Sequence, residues 1–314
     1  MDSWLAGKDK PAKTKPEQYE MPKGSSTRIF ALLASSAPIG VILRRGPSKH
    51  VLVLKWHLET DALEQGQWFH GRIYERRCDL SPSGELLLYF AASYKEPLRS
   101  WTAISKPPYL TALALWPKGD GWGGGGLFDS ELSIQLNHRP GEDVLADGFR
   151  LKKNMRVRLF GDRPGWGEDF PIYHSSLLRN GWNVVAQSDD AKPDWKAQVV
   201  WRFKEPILYE KTANGSQRLQ MLIKGVNQKN DAWYWLDYNV LDEHGAVLFS
   251  LPRADWAHWD GSGDLLFAKD GKLFRLKKDS LTLQSAVSGA SKQIADLNAL
   301  KFEAKSAPAE AIKW

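Results

Sequence analysis

DWAHWDGSGDLLFAKDGKLFRL, residues 255–276, spells out consecutive antiparallel strands with hardly a residue left over. Trp256 and Trp259 fall in a first strand, Asp260 to Gly263 make a turn, and Leu265 to Ala268 form a second strand. Asp270-Gly271 then supplies two residues that tolerate positive φ, as a tight hairpin requires, and Lys272 to Leu276 runs back. Other segments read as looser copies. Arg28 to Ala34, Gly40 to Arg44 and His50 to Trp56 are short β-type runs between turn signals.

Working outward, residues 81–90, SPSGELLLYF, repeat the turn-plus-strand unit. This segment resembles the Ser-Pro-Asp-Gly turn and apolar strand of TolB-like and WD40-like β-propeller blades, with Ser83 in place of the usual Asp. Trp259 to Gly263 before Leu265-Leu266-Phe267 is a second copy. Weaker echoes are Trp116 to Gly119 before Leu127-Phe128, Arg179 to Trp182 before Val184-Val185, and Asp242 to Gly245 before Val247-Leu248-Phe249. The resemblance implies an all-β fold, a β-propeller. A four-stranded blade cannot bury both faces alone, so neighbours must stack, and large side chains fill the wedge between them. Fifteen Trp in the chain suit that task. The expected organisation is a disordered tail over 1–27, a propeller over 28–287, and a short C-terminal helix with a closing segment over 288–314. At ~40 to 45 residues per blade, the middle part gives about six four-stranded blades. Two β-sandwiches meeting near 140–148 are the alternative.

The helix is expected because Ile294, Leu297 and Leu300 recur at i, i+3 and i+6 behind Ser291. Lys301 to Ala304 reads as a last strand, with Trp314 as an anchor. With 42% apolar and 25% charged residues, the body has the composition of a folded protein rather than of disorder. One cysteine, Cys78, excludes an intrachain disulfide and a multi-cysteine zinc site, and it favours a reducing, cytoplasmic location. The longest apolar run, Phe30 to Leu43, is interrupted by Ser35, Ser36 and Pro38 and is too short for a membrane span. No membrane association is expected.

No Walker loop, HExxH, GxSxG or Cys-His ligand spacing is present, which removes the readily recognised enzyme classes and implies no metal or cofactor. Gly121 to Gly126, with Trp122 inside it, formally satisfies GxGxxG, yet strand-like sequence follows where a nucleotide-binding helix would have to start. It reads as an inter-strand loop. Arg150, Lys152, Arg156 and Arg158 share one parity of a strand, opposite Leu151, Met155, Val157 and Leu159, and so form a basic face able to meet an acidic protein or a nucleic acid. Glu168, Asp169 and His174, beside the Gly-framed Trp166, are the one local set suited to acid-base catalysis. Asp260 to Asp264 resembles half of a calcium loop but lacks the downstream glutamate, so it reads as a turn.

The expected role is that of a non-enzymatic scaffold for protein-protein interaction in a larger, bacterial-type assembly, using the basic residues with Trp122 and Trp166. Alternatives are a propeller hydrolase or lyase with its site at the channel mouth, and a carbohydrate- or nucleic-acid-binding module.

Overall fold

The computed structural model describes residues 27–46, 49–188, 191–213, 216–281 and 291–314. The expected disordered tail therefore lies outside the described residues, except for Thr27. The described chain is dominated by strands in five sheets. Sheet I contains β1 (Arg28–Leu33), β2 (Ile39–Arg45), β3 (His50–His57) and β4 (Ala62–His70). Sheet II contains β5 (Arg72–Ile73), β6 (Asp79–Leu80), β7 (Leu87–Ala92), β8 (Ser100–Ser105) and β9 (Ala114–Pro117), with β5 and β6 both paired to β7. Sheet III contains β10 (Gly126–Ser130), β11 (Ser133–Leu136) and β12 (Arg156–Leu159). After helix α1 (Phe170–Arg179), sheet IV contains β13 (Asn183–Ala186), β14 (Val199–Thr212), β15 (Arg218–Gln228), β16 (Tyr234–Leu241) and β17 (Val247–Pro252). Sheet V contains β18 (Trp256–Trp259), β19 (Leu265–Lys269), β20 (Lys272–Leu276) and β21 (Lys292–Asp296). Pairing is antiparallel except between β11 and β12, which the long 137–155 connection allows to run parallel.

The decisive stretch folds as read. Trp259 pairs with Leu265, and Lys269 with Lys272 across a hairpin whose Asp270 and Gly271 both take positive φ (53° and 72°). Trp256 and Trp259 face opposite sides. Trp256 joins a core shared with sheet I (Ile42, Leu52, Trp56), whereas Trp259 joins one shared with sheet IV (Leu219, Leu236, Val240). Sheets I and II share Val41, Val53, Leu87 and Ala103, and sheets II and III share Leu88, Ile104, Trp116, Phe128 and Ile134. Three of these cores sit between sheets consecutive in the chain, I and II, II and III, and IV and V, and a fourth joins the last sheet to the first. Tyr173 and Leu177 of α1 pack into the core of sheets IV and V.

Polar contacts reinforce the contact between sheets V and I. Arg44, buried in β2, donates from Nε to Leu297 O (3.0 Å) and from Nη2 to Asn298 O (3.1 Å). Arg275 of β20 donates to Leu58 O (2.8 Å) and to Asp61 Oδ1 (2.7 Å). Ile29 N donates to Asp255 Oδ2 at 3.2 Å.

Four expectations are corrected. Residues 292–296 form strand β21, not a helix, and 282–290 lie outside the described residues. Ile294, Leu297 and Leu300 all pack on the core between sheets V and I, so their spacing reflects a covered sheet rather than a helical stripe. Lys301 to Ala304 form no strand; this segment runs past sheet I, where Lys305 O accepts from Gln67 Nε2 (3.0 Å), and ends with Trp314 Nε1 donating to Arg150 O (2.7 Å). Arg179 to Trp182 is the end of α1 and its turn into β13, with Gly181 at φ 80° as the left-handed residue that stops the helix. The basic strand is limited to Arg156–Leu159, because residues 150–155 are turn and coil.

Candidate functional site

Between the sheets lies a cavity of about 1240 Å³, walled by β1, the 3-10 turn Glu75–Arg77, α1, the end of β14 and β18. A smaller one of about 70 Å³ shares Phe30, Glu75 and Arg76 with it. Arg76 stands where the two meet. Its guanidinium carbon lies 5.1 Å from the Phe30 ring centre, 5.2 Å from Tyr173 and 4.3 Å from Tyr234, and its Nη1 donates to Glu75 (2.9 Å). Cation–π attraction thereby replaces part of the hydration that burial removes. Asp255, on the smaller cavity, is pushed up to about 7 by burial, against the lowering effect of the Ile29 N–H.

On the wall of the larger cavity, Lys211 Nζ lies 3.1 Å from His258 Nε2. His258 Nδ1 lies 2.6 Å from Trp259 O, and a carbonyl only accepts, so Nδ1 carries the proton and Nε2 offers a lone pair to the lysine. Burial, aided by Lys211, holds the imidazole down to about 3, so it is neutral. Burial brings Lys211 down to about 8. Trp256 stacks parallel to the imidazole at 6.1 Å, and Trp182 meets it edge-on at 6.2 Å. Cys78 also lines this cavity, but burial raises its thiol well above the usual range and the sulfur donates to Tyr74 O (3.2 Å), which makes it unreactive.

A second feature lies on the surface. Gly123 N donates to Gly167 O (2.7 Å) and Gly124 N to Asn137 O (2.7 Å), while the Asn137 side chain accepts from Gly165 N (2.8 Å) and donates to Trp166 O (3.1 Å). Arg77 braces the same two loops, donating to Gly121 O (2.7 Å), Gly123 O (2.6 Å) and Asp169 Oδ1 (2.7 Å). Trp122, Trp166 and Phe170, which these loops and the start of α1 carry, are 45%, 53% and 55% exposed. They are large apolar side chains held outward by a rigid, buried polar frame.

The sequence-predicted residues fall in several places. Trp122 and Trp166 come to this one ledge. Arg158 is clamped by Asp129 through two 3.1 Å bonds, Arg156 is exposed on the same side of β12, and Arg150 and Lys152 stand in the preceding coil. Asp169 is held by Arg77 and accepts from Tyr234 OH (3.4 Å); Glu168 is exposed; and His174 Nδ1 contacts Tyr209 OH (2.8 Å) beneath a stacked Phe170. No hydrogen bond links these three among the described residues. Asp260 Oδ1 accepts from Ser262 N (2.9 Å) and Asp264 N (2.9 Å), and Arg275 pairs with both aspartates, so the half-loop is a neutralised turn. No cluster of metal-ligating side chains occurs among the described residues. No helix there is long and apolar enough to cross a membrane.

Sequence reasoning missed the Lys211–His258 contact, because its partners are 47 residues apart on different sheets. One signal existed: Lys211 shares the strand parity of buried Tyr209, so it is a charged residue on an inward-facing side.

The chain matches no family profile and no curated protein. Among solved structures it is similar to a chain in the crystal structure of the mitotic checkpoint complex, with 12% identity over 96% of this chain and 90% of the other, at a TM-score of 0.31. It is also similar to an uncharacterized protein of Listeria monocytogenes EGD-e, with 11% identity over 87% and 85% and a TM-score of 0.24. At such scores neither likeness bears on what this chain does.

Proposed function

We propose that the five sheets are the blades of a small β-propeller, and that this propeller is a scaffold binding a protein partner through the Trp122–Trp166–Phe170 ledge. The ring reading rests on the order of the shared cores, sheet I with II, II with III, IV with V, and V back to I, and on α1, which packs into the core of IV and V while its Arg179 donates to Phe128 O of sheet III (2.9 Å). In such a ring the larger cavity is the central channel, and α1 with Arg76 narrows it.

The observation that carries the binding role is the pair of exposed tryptophans on hydrogen-bonded loops. Burying an aromatic side chain against a partner contributes most of the energy at many interfaces, and a preorganised anchor loses little entropy on binding. Here Asn137 and Arg77 provide that preorganisation. Exposed rings of this kind are otherwise a solubility liability.

Cross-linking in the cells that make the protein, with the wild type and a Trp122→Ala/Trp166→Ala variant compared, tests the reading. The expected result is a partner captured by the wild type, lost with the variant and retained with Arg156→Ala. Identical capture by wild type and double variant overturns it, and so does a tryptophan fluorescence response to soluble glycans with no protein captured.

A further inference from the structure

The wall of the larger cavity carries a second chemistry, independent of the ledge. We propose that Lys211 is a reactive amine that captures small aldehydes or ketones entering the cavity, forming an imine at Nζ. Among the cations on this wall, Arg76 pairs with Glu75, Arg179 with Asp79, and Arg275 with Asp61, Asp260 and Asp264. Lys277 pairs with Asp264 and Lys292 with Asp61. Lys211 pairs with no carboxylate among the described residues; its polar neighbour is the neutral His258.

Several features fit this chemistry. Burial removes water from the ammonium with no anion to compensate, which favours the neutral amine. One N–H of that amine is engaged by His258 Nε2, which leaves the nitrogen lone pair outside the hydrogen bond. The side chain is held in place: its Cε passes beside Gly181, 3.9 Å from where a Cβ would stand, and its own carbonyl accepts from Trp259 Nε1 (3.0 Å). Carbonyl compounds have access, because Ser36, Thr60 and Gly261 on the rim are exposed. The indoles of Trp182 and Trp256 offer an apolar wall for the carbon chain.

The reaction needs no further reagent. The Nζ lone pair attacks the carbonyl carbon, a C–N bond forms as the carbonyl π bond opens, and a proton passes from nitrogen to oxygen through water. The resulting carbinolamine loses its hydroxyl with a second proton as water, so amine plus carbonyl give imine plus water with no change in oxidation state.

At pH 7.5 an amine titrating at about 8 is about one-quarter neutral, against about one part in a thousand for an ordinary lysine. The test treats the full chain with propanal and cyanoborohydride, which reduces each imine to a stable secondary amine, and follows individual lysines by peptide mass spectrometry. Lys211 is expected to be labelled at least tenfold faster than exposed Lys196 and Lys204, with a rate that rises to a half-point near pH 8. Lys211→Arg should remove the fast-labelled peptide and leave the labelling of the other two as before. Labelling of Lys211 no faster than theirs, or fast labelling with a half-point near the ordinary lysine value, overturns the proposal.

Discussion

At the scale of residues, burial sets the protonation of the enclosed ionisable groups. Asp255 holds its proton to about pH 7, well above the usual carboxylate range, because burial penalises the charge more than the Ile29 N–H rewards it. The sign follows by linkage: the folded state binds this proton more tightly than the unfolded chain, so the stability it brings is complete below about pH 4 and is lost as pH rises through 7. Asp255→Asn keeps an acceptor for Ile29 and removes the titration. Urea denaturation at pH 5 and pH 8 should show the variant gaining on the wild type at the higher pH; an unchanged difference between the two would contradict this. Gly124 illustrates a steric constraint. With φ at 82° and a Cβ position 2.4 Å from the Phe90 ring, it admits no side chain, and Gly124→Ala should cost about 2 kcal/mol or more by thermal denaturation.

At the scale of elements, β18 shows how far the sequence could be read. Its boundaries, both turns and the hairpin were legible, because Asp-Gly and Gly-Ser-Gly turns leave the backbone few alternatives. Residues three apart in a regular strand face opposite sides, and Trp256 and Trp259 accordingly fill different cores. Trp256→Ala and Trp259→Ala should each cost about 3–5 kcal/mol, whereas Trp122→Ala or Trp166→Ala should stay within about 0.5 kcal/mol. Equal effects across the four would contradict the split between core and ledge.

Helix α1 was not legible for a physical reason. It buries only Ile172, Tyr173 and Leu177 and leaves Phe170 and Leu178 exposed, so tertiary contacts, not periodicity, hold it. The reverse error at β21 has the same root: an apolar residue every third position is what a strand followed by a covering turn also requires. Trp122 and Trp166 were legible as singular residues between glycines, but the Asn137 and Arg77 bonds that bring their loops together depend on the fold. Arg77, at 2% exposure, carries no local sign of that task.

At the scale of the whole molecule, the first and last sheets meet through side chains. Arg44 reaches across to the carbonyls of Leu297 and Asn298, and Asp61 takes both Arg275 and Lys292. These contacts span more than 200 residues, so loop closure opposes them until the intervening sheets are in place. Sheets I and V are expected to unfold together, and losing either should release the other.

Zero-length carbodiimide cross-linking tests the meeting of the first and last sheets most directly, because it joins only amines and carboxylates already in contact. Lys292 Nζ lies 3.3 Å from Asp61 Oδ2, 231 residues away. Peptide mass spectrometry of the cross-linked monomer should find an amide between Asp61 and Lys292 that disappears when the chain is unfolded in urea before treatment. Links confined to single sheets, with none between sheet V and the 58–61 turn of sheet I, would contradict the contact between the first and last sheets.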